Sequence, residues 1–240
     1  MRAPAFVAAA LALTTAALAE PTTDYAAITP ASAGTDLWRE AETAAARGDC
    51  EAAAPLYRTV LDAGPSPARR IAATHALVLC TADPDEPWTA RALMADLLPV
   101  VTAHFGAQSS GLARHHAIWA EAEVRAGALD VAWRRSEAAI AASRAAGNVD
   151  PFEHAAELYR LAAIQIARGE AGAFLAFLDT ERARLDAADW MAEGDDALFD
   201  ELMGRVPAAE ETEALAAWAR AGLEEFDPRP LYLTLLDRPV

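Results

Sequence analysis

Lysine is absent from this chain. All 20 basic residues are arginine, they face 36 acidic ones, and the formal charge is −16. A surface this acidic repels phosphate backbones and anionic lipids, so nucleic acid and membrane surfaces are poor partners. The lysine-free, alanine-rich composition fits a high-GC bacterial genome, and a Gram-negative envelope is the expected address. Alternating valine-rich runs are also missing, which leaves no convincing strand. After Ala19 no uninterrupted apolar run approaches the roughly 20 residues that a membrane-spanning helix needs, so none is expected there.

Chemical motifs are scarce as well. The five histidines, His75, His104, His115, His116 and His154, build no H-E-x-x-H and no E-x-x-H pair. His115 and His116 are adjacent, so on a helix they point about 100° apart and do not share one metal easily. His154 and Glu157 read as a solvated polar face. The stretch Ala107-Gln108-Ser109-Ser110-Gly111 lacks the first glycine of a nucleophile elbow; Ser109 or Ser110 reads as a helix cap. No glycine-rich phosphate loop occurs. The acidic run from Glu193 to Glu201 lacks the alternating order of a calcium loop and reads as a solvated face. No catalytic residue, cofactor or metal site is expected.

What the chain does contain begins with an export signal. Arg2 precedes an uncharged, mostly apolar run from Ala5 to Leu18, and Ala17-Leu18-Ala19 is an A-x-A cleavage site. No cysteine follows that site to take a lipid anchor, and no Arg-Arg pair precedes the run, so general secretion is expected. Cleavage after Ala19 would leave Glu20 to Val240, one basic charge poorer and destined for the periplasm or secretion. Residues 20–34, with Pro21, Pro30, Ser32 and Gly34, read as a flexible leader. A single helical domain is expected over 35–240.

From Thr35 the pattern is helical. The expected helices are 35–47, 50–63, 67–81, 87–104, 110–126, 129–146, 151–168, 171–187, 195–203 and 208–222, with a turn near 231–236. Ser66-Pro67 and Asp150-Pro151 mark starts, and Pro207 opens another. Glycines mark stops: Arg47-Gly48, Ala126-Gly127, Arg168-Gly169 and Ala221-Gly222. Pro99 predicts a kink or an end in the fourth helix. Cys50 and Cys80 stand equally far from Pro65 on either side, level with each other in an antiparallel hairpin. A Cys50–Cys80 disulfide is predicted, closing a ring worth about 3.5 kcal/mol on the chain-entropy model.

Residues 48–65 resemble the tetratricopeptide repeat. Gly48-Asp49-Cys50-Glu51 stands at its turn, Ala53 and Val60 at its small sites, Tyr57 at its aromatic site and Pro65 at its closing proline. Leu37 and Ala41 fit the preceding helix. Cys50 replaces the usual aromatic, and Pro55 falls inside the second helix. The match is partial over 111–142, where Ser136 replaces the aromatic, and only a hairpin outline remains over 151–187. The resemblance implies an all-α solenoid of stacked antiparallel hairpins. It also implies a protein or peptide partner on the concave face lined by first helices. By register, Trp38, Glu42, Arg114, Glu121, Arg125 and Tyr159 would line that groove. The other tryptophans are assigned mostly to packing between hairpins. The expected function is thus a non-catalytic envelope scaffold for a protein or peptide. Two rivals stand beside it: a helical cell-wall or glycan-processing enzyme, and a carrier of an apolar small ligand.

Overall fold

The computed structural model describes residues 32–187, apart from 84, 148 and 149, and 201–237, apart from 202, 209, 210, 228 and 229. The signal segment, almost all of the leader, most of the expected helix at 195–203, Trp190 and most of the acidic run lie outside the described residues.

Within them the chain is all-helical, with no strand. Ten helices follow one another: α1 (Ser32–Ala46), α2 (Cys50–Asp62), α3 (Pro67–Thr81), α4 (Pro87–Phe105), α5 (Ser110–Arg125), α6 (Leu129–Ala146), α7 (Pro151–Ala167), α8 (Ala171–Ala187), α9 (Thr212–Phe226) and α10 (Pro230–Leu235). From α1 to α8 each helix packs on the next in sequence, a solenoid-like order.

The hairpins α1–α2, α5–α6 and α7–α8 share one turn. Gly48, Gly127 and Gly169 hold φ of 73°, 70° and 74°. The amide after each glycine reaches back into the helix just ended: Asp49 donates to the Ala44 carbonyl, Ala128 to Glu123 and Glu170 to Gln165. Glycine is favoured at the left-handed position because a Cβ there meets the neighbouring carbonyl. The caps are local too. Asp49, Ser109 and Asp150 each accept a backbone amide of the first turn of α2, α5 and α7.

The alanines decide how closely the helices approach. Ala41, Ala44 and Ala53 are fully or almost fully buried between α1 and α2, and Tyr57 and Leu77 fill the space beside them. The Cys50–Cys80 disulfide joins α2 to α3 with a Cα–Cα distance of 4.9 Å. Further along, Val78 of α3, Met94 of α4 and Trp119 of α5 form a second cluster. The second half is built differently. α7 receives α6, α8, α9 and α10, and it buries Leu158, Leu161, Ile164 and Ile166 among them.

Of the two outcomes left open at Pro99 the end is not taken, since α4 continues to Phe105 as one helix, close to the expected 87–104. Pro55 and Pro99 are both exposed, as are Glu51 and Ala95, whose carbonyls lose their helical donors, so water can serve those carbonyls. Three sequence expectations need correction. α1 begins at Ser32, not 35. The helix expected at 208–222 runs from Thr212 to Phe226 instead. Gly222 lies inside it, buried against Tyr159, so it answers a demand for space and not for a stop.

Candidate functional site

The first helices of the four hairpins, α1, α3, α5 and α7, are linked sideways. Between α1 and α3, the Arg69 guanidinium lies 5.9 Å from the Trp38 ring centroid. Partial desolvation raises the pKa of Glu42, opposed by Arg69, the Trp38 indole and Arg39, which favour its ionised form. Between α3 and α5, His75 Nε2 and His115 Nδ1 are hydrogen-bonded at 3.0 Å. Between α5 and α7, Arg114 and Glu153 lie within electrostatic range of each other. Burial raises the Glu153 pKa, reinforced by Asp150 and Glu157 and opposed by Arg160 and Arg114. His75 and His115 are 40 residues apart, and Arg114 and Glu153 are separated almost equally. A repeat near that length places such residues level on neighbouring first helices.

The six residues expected in the groove meet different fates. Trp38 and Glu42 come together with Arg69, and Trp38 also makes an edge contact with Tyr57 at 5.7 Å. Glu42, Arg114 and Arg125 are exposed. Glu121 is only 4% exposed and accepts a 2.7 Å bond from Arg125. Tyr159 is 3% exposed. It packs 4.6 Å from Trp218 and stacks on Phe226 at 5.9 Å, so it serves the core between α7 and α9 and not a groove. Trp38 and Glu42 thus meet Arg69 across α1 and α3, Arg114 lies near Glu153 across α5 and α7, and Arg125 is held by Glu121 within α5.

The histidines are more buried than their sequence suggests. His154 is 2% exposed and not on a solvated face. Its ring is walled by the core around α7, and burial lowers its pKa to about 4, with Glu181 pulling upward and Arg144 downward. His75 is lowered to about 3 by burial and by His115. His115 is lowered to about 4 by burial, His116 and Arg135, against the Met94 carbonyl. His116 is lowered to about 4 by burial and Arg135. No group of three metal-ligating side chains forms among the described residues.

Buried carboxylates are spent on arginine. Glu123 takes Arg91, Glu181 takes Arg144 and Arg184, and Asp227 takes Arg160. Sequence reasoning missed Arg69, the His75–His115 contact and these pairs; the spacing of one repeat length was the available signal for the histidines. A depression of about 340 Å3 opens between α2, α3 and α4, lined by Asp62, Arg70, Thr74, Asp96 and Leu97 among others. Asp62 and Asp96 are both exposed. The lining is mixed, whereas an apolar ligand wants an enclosed apolar wall. No helix among the described residues is long and apolar enough to cross a membrane. No family model, no curated protein and no solved structure matches this chain.

Proposed function

We propose that this chain is an exported, non-catalytic helical-repeat scaffold that holds a protein or peptide against its first helices. The observation that carries the reading is the sideways linkage of α1, α3, α5 and α7 through Trp38–Arg69, His75–His115 and Arg114–Glu153. Side-by-side first helices give a broad surface with chemistry from every hairpin. An aromatic ring set among arginines and carboxylates suits a peptide, because Trp and Arg carry most binding energy at interfaces. The resemblance of residues 48–65 to a tetratricopeptide repeat supports the same surface. The Cys50–Cys80 bond fits an oxidising compartment, and the signal-like segment ending at Ala19 fits the route there.

Site-specific photo-crosslinking in producing cells tests this. A crosslinkable residue replaces Glu42 or Arg114 on the first helices, and Arg58 or Ala141, both exposed, on the second helices. Discrete protein adducts at 42 and 114, absent at 58 and 141, are the expected result. Equal labelling at all four positions, or none at 42 and 114, would reject the surface.

A further inference from the structure

Arg144, Arg160 and Arg168, well covered in the second half of the fold, each hold a carboxylate, from Glu181, Asp227 and Asp130. Arg135 on α6 differs from these three. It is half-buried, and its guanidinium carbon lies 3.4 Å from the centroid of the Trp119 ring. The acid whose charge acts on it is Glu123. Both oxygens of Glu123 already accept hydrogen bonds from other groups. Oε1 accepts from Arg91 Nε at 2.9 Å and from Trp119 Nε1 at 3.0 Å. Oε2 accepts from Arg91 Nη2 at 2.6 Å. Among the described residues no carboxylate accepts a hydrogen bond from Arg135.

The surroundings add positive charge. Arg91 of α4 and Arg134 of α6 both repel Arg135. Arg91 is itself paired with Glu123, which leaves Arg134 and Arg135 as neighbouring cations in a chain whose formal charge is −16. Stacking on the indole fixes the plane of the guanidinium and leaves its edge donors free, a fork that matches a planar or tetrahedral oxyanion. Partial burial lowers the local dielectric and strengthens such a pairing.

We propose that Arg135, held flat on Trp119 with Arg134 beside it in sequence, binds a small oxyanionic group, a carboxylate or a phosphate. The site is distinct from the partner surface. At about 100° per residue, His116, Trp119 and Glu123 share one face of α5, while Arg114, Glu121 and Arg125 share the opposite one. The inference therefore stands whether or not the peptide-binding reading does.

The test titrates the full chain, disulfide intact, with inorganic phosphate and separately with acetate. Chloride holds the ionic strength constant, and heat of binding and thermal midpoint are read. Saturable binding of at least one anion is expected, with the tighter arm naming the source. Arg135→Gln is expected to weaken it about tenfold. The exposed Arg134→Gln is expected to weaken it about two- to fivefold. Arg58→Gln on α2 is expected to leave it unchanged. Circular dichroism checks each fold, and Arg134→Gln alone decides if Arg135→Gln does not fold. No saturable binding above chloride, or affinity untouched by the decisive variants, would overturn the site.

Discussion

Gly222 and Tyr159 explain each other. A Cβ on Gly222 would lie 2.2 Å from Tyr159 Cε1, and the phenol ring is wedged against Trp218 and Phe226. Gly222→Ala is therefore expected to lower stability by about 1–3 kcal/mol through overpacking, read as a lower urea midpoint. Gly172→Ala is the contrast. Nothing lies within 4 Å of the place its Cβ would take, and its φ is ordinary. Helix propensity alone then acts, worth a gain of up to about 1 kcal/mol. Equal effects of the two would refute the packing argument. Neither role was legible in the sequence. Ala221-Gly222 repeats the dipeptide that ends α5, and Tyr159 falls in register with the groove. Only a neighbour from a distant helix distinguishes an interior glycine from a terminal one.

The helices and their turns were far more legible, because their causes are local. Gly48, Gly127 and Gly169 end α1, α5 and α7 through the same carbonyl pattern, and Asp49, Ser109 and Asp150 cap the helices that follow nearby turns. Open space surrounds Gly127, so Gly127→Ala tests backbone strain alone. A loss of about 1–2 kcal/mol is expected, seen as a lower thermal midpoint with an unchanged helical signal. The start of α9 differs because Pro207, a proline of the kind that opens α3 and α7, opens no helix here, and the helix begins at Thr212. The disulfide was legible from the hairpin geometry, since residues equidistant from a turn come level. Replacing both Cys50 and Cys80 by serine is expected to cost about 3.5 kcal/mol. A double variant as stable as the parent in urea would show that the hairpin closes without help from the bond.

The assembled fold divides its labour, and acid should expose the division. The first half stacks hairpin on hairpin, the order expected of successive two-helix units. The second gathers four helices around α7, which no periodicity announced because α7 buries 12 of its 17 residues, too many for a single stripe to give a direction. Each half covers histidine: buried His75 and His115 between α3 and α5, half-buried His116 beside Trp119 of α5, and buried His154 within α7. Their pKa values are lowered to about 3, 4, 4 and 4, chiefly by burial. An unfolded histidine titrates near about 6.5. Between that value and the folded one the unfolded chain binds protons that the native state refuses, so stability falls as pH falls. The contribution is complete above about pH 7 and is lost from about 6.5 down toward the folded values. A fully buried histidine contributes a slope of about 1.4 kcal/mol per pH unit there. His116, partly open to water, contributes less. The four together reach at most about 5 kcal/mol per unit, comparable to the whole stability of a typical domain. Glu42, Glu137 and Glu153, whose pKa values burial raises, act in the opposite sense, but only once the pH nears the carboxylate range. The urea midpoint should accordingly be level from pH 8 to 7 and drop steeply between 6 and 5. His154→Leu, which removes one proton acceptor from the α7 core, should flatten that slope by about a quarter. A midpoint that stays constant down to pH 5 would mean that these imidazoles accept protons in the folded chain, and the burial assigned to them would be wrong.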